Sequence, residues 1–227
     1  MSVIGTLMER LGGRYSSTLG IDLSRGTDEE IFKWFLASKL YAARIGEDLA
    51  TRTYHEFKEN NLLTPKEIIE AGWENLVKVL DDGGYVRYDF STATKLLEIM
   101  KDLINKYSGS LNRLHEESKD EKEISERLKG LGKGIGEVTV NIFLRELRGI
   151  WRKVDPAVNE FSILAARRLG ILTESDSGKD VPKKLKEYWR KNRIKDFDFS
   201  DFEAALLRLG KNYIRKKKDL GWLLSGE

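Results

Sequence analysis

Cysteine is absent from this 227-residue sequence, which excludes disulfide bonds, Cys-ligated zinc and iron–sulfur clusters. Histidine occurs only at His55 and His115, so a histidine-based metal site or catalytic triad is not expected. No apolar run approaches the roughly 20 residues of a membrane span. The first residues also lack the long apolar core of a signal peptide. These absences predict an intracellular protein that does not enter a membrane.

Glutamine is also absent, whereas charged residues make up 34% of the sequence, a combination typical of proteins from thermophiles. The net charge is only +3, but positive charges are clustered. Residues 183–195 hold seven basic residues and one acidic residue, and "IRKKK" follows at 214–218. Such clusters are either solvated helix faces or a surface for a polyanion, and charge alone does not decide between them.

Strand signals are scarce, whereas helix signals recur along the sequence. In "TPKEIIEAG", Thr64 is placed to cap a helix and Pro65 to occupy its first position. A long amphipathic helix is predicted over residues 91–107, and a capping box is predicted from Ser200 and Glu203. We count about ten short helices and predict an all-α fold.

Four glycines alternate with other residues in "GLGKGIG", at positions 130, 132, 134 and 136, immediately before the helical stretch "EVTVNIFLREL". Because glycine is costly inside regular structure, the run indicates a tight interhelical turn. Bare glycines before a helix N-terminus, flanked by Lys129 and Lys133, can also bind a phosphate without reading a base. The pattern favours the phosphate site over a plain turn.

A second motif is "VDPAV", which contains Asp155 followed by Pro156. Asp before Pro is typical of a helix start, so in one interpretation Asp155 caps a helix over residues 156–169. In the other, a carboxylate fixed at a helix N-terminus stabilises a developing cation or activates a water molecule. Taken alone, the local sequence favours the cap.

Together the two motifs resemble those of the helix-hairpin-helix DNA glycosylase superfamily, in its endonuclease III branch. The residues that fit the family's hairpin are Gly134, Ile135, Gly136, Thr139 and Asn141. Asp155 fits the family's catalytic aspartate. Other family segments follow in the same order over residues 28–214, which is most of the chain.

The resemblance implies a two-lobed all-α fold. Residues 28–147 would form a central helical lobe ending in the hairpin, and residues 1–27 with 148–227 a second lobe, with Asp155 at the junction. The implied protein is a monomeric DNA repair enzyme, cytoplasmic and nucleoid-associated, whose partner is double-stranded DNA with a damaged or mismatched base. It would flip that base and hydrolyse its N-glycosidic bond, with Asp155 stabilising the cationic sugar.

Two departures from the family bear on chemistry and cofactors. Bifunctional members carry a nucleophilic lysine two residues after the second hairpin glycine, where this sequence has Val138. A monofunctional enzyme with water as nucleophile is therefore implied, unless Lys133 or Lys153 acts as a displaced lyase nucleophile. The family's four-cysteine cluster is missing, so no iron–sulfur cofactor is expected. The resemblance leaves room for a monovalent cation at the hairpin.

The resemblance also implies DNA contacts and a base pocket. Contacts at the hairpin are expected from Lys129, Gly132, Lys133, Gly134, Ile135, Gly136 and Thr139. The residues expected to fill the gap left by the flipped base are Lys39, Tyr85, Arg87 and Tyr88, although each tyrosine could equally pack at a helix edge. Trp34, Tyr41 and Trp151 would line the base pocket, although buried aromatics more often belong to a core.

Three functions remain open at this stage: a monofunctional glycosylase, a glycosylase with lyase activity, and a non-catalytic protein that binds damaged DNA. The excised base is not specified, because the side chains of a base pocket come from several helices and the sequence does not show which of them face inward.

Overall fold

The structure, a computed structural model, describes residues 2–86 and 89–224. Over these residues the chain is helical, and its strand pairing is limited to an isolated bridge between Arg148 and Trp151. The predicted all-α class is confirmed. Thirteen α-helices are described rather than about ten, partly because residues 15–18 and 221–224 wind into single turns.

The α-helices follow one another with short connections. In chain order they are α1 (Val3–Leu11), α2 (Tyr15–Thr18), α3 (Asp28–Tyr41), α4 (Glu47–Glu59), α5 (Pro65–Asp82), α6 (Asp89–Tyr107), α7 (Leu111–Glu117), α8 (Glu121–Lys129), α9 (Glu137–Glu146), α10 (Glu160–Arg168), α11 (Asp180–Lys191), α12 (Phe199–Leu209) and α13 (Gly221–Leu224). Within the described ranges, none of them is both long and apolar enough to cross a membrane.

Helix starts follow the local chemistry of their caps. The Thr64 hydroxyl accepts a hydrogen bond from the Glu67 amide at 3.2 Å, and Pro65 begins α5 as predicted. The capping box predicted from Ser200 and Glu203 is wrong. Asp198 and Asp201 form the box instead, because a carboxylate two residues earlier already accepts the amide of Asp201 at 3.0 Å.

Packing divides the chain into two compact units. One is Leu19–Pro156, which contains α3 to α9; the other combines Met1–Thr18 with Ala157–Glu227. Residues 19–27 and 148–156, which the sequence analysis assigned to the second lobe, pack with the unit that contains the hairpin.

An aromatic core fixes α9 within the unit Leu19–Pro156. The Trp34 indole N–H donates to the Phe143 carbonyl at 3.0 Å. The Phe143 ring makes edge contacts with Phe35 and Trp151, each with ring centroids 5.4 Å apart. All four rings are buried, so the helix that follows the glycine run is held rigidly against α3.

The other unit buries one face of α11 and leaves its basic face in solvent. Val181, Leu185 and Trp189 point into an apolar core, where the Trp189 ring stacks on Phe202 with centroids 5.0 Å apart. The cations that are exposed on or just after α11 are Lys183, Lys184, Arg190, Lys191, Arg193 and Lys195. The basic cluster read from the sequence is therefore a solvent-facing surface.

Candidate active site

The glycine run forms the turn between α8 and α9. Gly132 and Gly134 have φ angles of 153° and 91°, where side chains are strained. A Cβ on Gly132 would also lie 2.9 Å from Ile99 Cγ1, closer than side chains pack. The buried side chains of Leu131 and Ile135 anchor the turn. Gly132 is therefore needed both for the turn and for its packing against α6.

The start of α9 is open to a ligand. Gly136 is its N-cap, in extended conformation, and no side chain among the described residues caps the first amides. The space beside Gly136 is empty to 4 Å. Uncapped amides and the positive end of the helix dipole together form a group of donors suited to an anion. This geometry agrees with the predicted phosphate site, which remains a prediction.

The residues predicted to contact DNA at the hairpin differ in their exposure and in the partners they already have. Lys133 is exposed in the turn, whereas the Lys129 amine is paired with the Glu137 carboxylate at 2.5 Å. The Thr139 side chain is buried, so a DNA contact from this residue would come from its backbone amide in the first turn of α9. Lys39 lies against Gly134 and is buried.

Asp155 does not cap a helix. The predicted start of this helix at residue 156 is wrong: α10 runs from Glu160 to Arg168, and Asn159 is its N-cap, accepting the Phe161 amide at 2.9 Å. The Pro156 carbonyl, which would accept an intrahelical hydrogen bond in a longer helix, instead accepts from Arg148 Nη2 at 2.6 Å. Asp155 therefore lies in an irregular segment, and its role is not that of a helix cap.

Arg148 and Glu121 hold Asp155 in place. The Arg148 Nε donates to Asp155 Oδ1 at 2.8 Å, and the Arg148 side chain is only 7% exposed. The Asp155 amide donates to Glu121 Oε2 at 2.5 Å. Because the Asp155 side chain is 53% exposed, a fixed carboxylate faces solvent. Such a group can stabilise a nearby cation or orient a water molecule.

A tight turn after α9 brings Arg148 and Asp155 together. The amides of Ile150 and Trp151 both donate to the Leu147 carbonyl at 2.9 Å, and Gly149 has a φ of 83°. The chain therefore reverses directly after the helix. Sequence reasoning missed Arg148 and Glu121, since an irregular segment has no periodicity to reveal which side chains meet.

The two lysines considered as lyase nucleophiles, Lys133 and Lys153, differ in how their amines are engaged. The Lys153 amine donates to the carbonyls of His115, Glu116 and Ser118 at 2.9, 3.0 and 2.5 Å. These bonds satisfy carbonyls at the end of α7 and use three hydrogen bonds of the Lys153 amine, which commits it to a structural role. Lys133, in contrast, is exposed on the turn.

The three aromatic residues assigned to a base pocket have different surroundings. Trp34 is fully buried in the core, and the Tyr41 hydroxyl shares a hydrogen bond with Thr51 Oγ1 at 2.7 Å. Trp151 lines a cavity of about 460 Å³ that neither of the other two lines. One face of its ring is covered by His115, stacked with centroids 4.7 Å apart.

The residues expected to fill the duplex gap are placed only in part. Arg87 and Tyr88 lie outside the described residues. Tyr85 is buried, 4% exposed, and does not project from the surface. Val86 and Phe90, which flank those two positions, are 65% and 59% exposed, and the sequence analysis did not single them out.

The described carboxylates near the site form ion pairs with basic side chains and do not cluster as metal ligands would. Among the described residues, no group of three or more His, Cys, Asp or Glu side chains is arranged to hold a metal ion. Asp155 is instead paired with Arg148, and Glu137 with Lys129.

The fold is that of a solved DNA glycosylase structure. No family profile and no curated protein matches the sequence. The crystal structure of the H. pylori 3-methyladenine DNA glycosylase MagIII bound to 1,N6-ethenoadenine is similar, with a TM-score of 0.54 and 14% identity. The match covers 97% of this chain and 100% of that chain.

A trapped endonuclease III–DNA covalent intermediate, an estranged-adenine complex, is also similar, with a TM-score of 0.49 and 20% identity. That match covers 79% of this chain and 74% of that chain. At such low identity the likeness to MagIII establishes the helix-hairpin-helix glycosylase fold, and the chemistry must be argued from the residues of this chain.

Gly132→Ala should lower the free energy of unfolding by about 2 kcal/mol, because alanine is strained at this φ and its methyl would collide with Ile99. Urea denaturation followed by circular dichroism measures the change. Gly136→Ala is the matched control, since its φ of −110° suits alanine and no atom lies within 4 Å. Equal losses in the two variants would contradict the described turn.

Proposed function

We propose that this protein is a DNA repair glycosylase that hydrolyses the N-glycosidic bond of a damaged or mismatched base. The proposal rests on one observation above all: Asp155 does not cap a helix but is held by the buried Arg148 with its carboxylate half exposed. The fold shared with MagIII and the open start of α9 support the same conclusion.

The chemistry follows from where charge develops. As the bond between the sugar C1′ and the base breaks, its electron pair leaves with the base and the sugar becomes cationic. A fixed carboxylate stabilises that cation because it needs no reorganisation during the reaction. Water then adds to C1′ and gives up a proton, for which Asp155 is the acceptor. Arg148 acts as a positioning residue, since it touches the carboxylate and not the substrate.

A monofunctional reaction is the form we favour. Val138 stands on the first turn of α9, 61% exposed, where bifunctional relatives carry their lysine. The Lys153 amine is engaged by three carbonyls. Lys133 is the remaining candidate for a displaced nucleophile, which would make the protein a glycosylase with lyase activity.

Base release tests the proposal directly. Duplexes carrying uracil, hypoxanthine, oxidised guanine, alkylated purines or a G·T mismatch are incubated with the protein and then treated with hot alkali. We expect cleavage of at least one of them, and Asp155→Asn should slow it by about a hundredfold or more without weakening DNA binding, because the missing charge acts in the transition state.

The control for this experiment is Glu70→Gln, which removes an exposed carboxylate paired with Lys66 on α5. It should leave the rate unchanged. Full activity in Asp155→Asn, or no release from any duplex in the panel, would contradict the proposal.

Val138→Lys should introduce lyase chemistry. The position is exposed, so a lysine fits without repacking, and its amine would stand at the start of α9. We expect a covalent protein–DNA adduct after borohydride reduction for the variant on an abasic duplex, and none for the wild type. An adduct in the wild type that disappears in Lys133→Ala would instead establish the bifunctional alternative.

A non-catalytic damaged-DNA-binding protein remains the second candidate, favoured by the exposed basic face of α11. It predicts salt-sensitive binding with no base release and no effect of Asp155→Asn on any readout. The lesion panel above separates it from the glycosylase.

DNA binding by the basic face can be measured by its salt dependence. Replacing Lys183, Arg190, Arg193 and Lys195 together by Gln should make the slope of log K against log salt shallower by about 0.9 for each phosphate that is no longer neutralised. The matched control replaces four exposed lysines of the other unit: Lys58, Lys66, Lys78 and Lys101. Equal changes in both variants would show that α11 has no specific role in binding DNA.

A further inference from the structure

Lys39 is a buried lysine that has no partner among the described residues. It lies in the last turn of α3, and its residue surface is 7% exposed. Among the described residues it makes no hydrogen bond and no ion pair. Burying an unpaired ammonium group is costly. A buried ammonium group that is present despite this cost indicates that its charge has a function.

The Lys39 side chain ends at the hairpin. A Cβ placed on Gly134 would lie 3.4 Å from Lys39 Cε and 3.6 Å from Lys39 Nζ. The Lys95 side chain of α6 is there too, with Cδ 3.2 Å from the same point. Because Gly134 is two residues before Gly136, the N-cap of α9, two lysines from different helices meet at the turn that leads into the uncapped amides.

This cluster does not fit a bound metal cation. Lys39, Lys95 and the positive end of the α9 dipole would all repel one. The carboxylate nearby in sequence, Glu137, is exposed and already paired with Lys129 at 2.5 Å. The same groups fit an anion, for which an ammonium and backbone amides are natural donors.

We propose that the Lys39 ammonium and the amides at the start of α9 together bind a DNA phosphate, and that Lys39 takes the place of the monovalent cation expected at the hairpin. The proposal rests on the proposed function in taking DNA as the ligand. It does not depend on base removal, because phosphate binding precedes any chemistry.

The protonation of the Lys39 amine makes the proposal testable through the pH dependence of DNA binding. Burial, with a further contribution from the Lys95 ammonium, lowers the pKa of Lys39 to about 8. Other charged groups around the hairpin include Lys133, the Lys129–Glu137 pair and the Lys106–Asp102 pair, whose lysine amine donates to the Gly130 carbonyl at 3.0 Å. A phosphate bound beside Lys39 raises its pKa, because an anion favours the charged form. Above about pH 8, binding therefore takes up a proton, and affinity must fall as the pH rises.

The experiment measures the anisotropy of a labelled duplex with a stable abasic-site analogue, from about pH 7 to about pH 9.5 at constant ionic strength. We expect wild-type affinity to be level below about pH 8 and to fall by about tenfold toward the upper limit. An ordinary exposed lysine would titrate well above this range. A level profile for the wild type overturns the proposal.

Two variants assign the effect to Lys39. Lys39→Met should bind about tenfold more weakly at pH 7 and lose the pH dependence. Its thermal stability should not fall, since the change removes a buried unpaired charge. Lys95→Met should move the midpoint of the decline to higher pH, because the neighbouring positive charge is gone. Lys101→Met, an exposed lysine on the same helix, should match the wild type. Wild-type affinity in Lys39→Met overturns the proposal.

Cation exchange separates Lys39 from a metal ion. When potassium chloride is replaced by tetramethylammonium chloride at equal ionic strength, wild-type affinity should not change. A several-fold loss would show that a metal cation occupies the hairpin and overturn the proposal. These outcomes are independent of the glycosylase reaction, since a protein that releases no base but shows the Lys39 signature refutes only the proposed activity.

Discussion

The hydrogen bonds of Arg148 decide what Asp155 can do. One guanidinium holds the Asp155 carboxylate and the Pro156 carbonyl at the same time. By engaging that carbonyl it prevents α10 from starting early, and by engaging the carboxylate it fixes an acidic group that would otherwise be a flexible surface residue. Because Arg148 is buried and Asp155 is half exposed, the pair has a buried side toward the protein and an exposed carboxylate toward solvent.

In the hairpin, too, some residues are buried against the protein and others face open space. Leu131 and Ile135 are buried, and Gly132 packs so closely on Ile99 that no side chain fits. Gly136, in contrast, has open space beside it and leads into uncapped amides. The alternating glycines therefore serve two purposes, since one allows a close approach within the protein and another leaves room for a ligand outside it.

The sequence predicts the helices and the hairpin better than it predicts the site. The all-α class, the start of α5 and the break before α9 follow from caps and periodicity, which are local. The helix assigned to residues 156–169 begins only at Glu160, because Asn159 supplies the N-cap and a hydrogen bond from Arg148 engages the Pro156 carbonyl. That hydrogen bond depends on the turn after α9. The spacing of residues in the sequence does not indicate which side chains an irregular segment brings together.

The lysines around the hairpin and the turn after α9 show why residue type alone could not settle the chemistry. Lys129 is paired with a carboxylate, Lys153 is held by three carbonyls, and Lys39 is buried with neither kind of partner in the part of the chain that the structure describes. The first two are bound within the protein and contribute mainly to its structure. The third keeps an uncompensated charge at the hairpin, where a phosphate would supply the missing partner. A single residue type therefore provides a brace and a helix cap, and at Lys39 the proposed ligand-binding group; the surroundings of each amine distinguish the three.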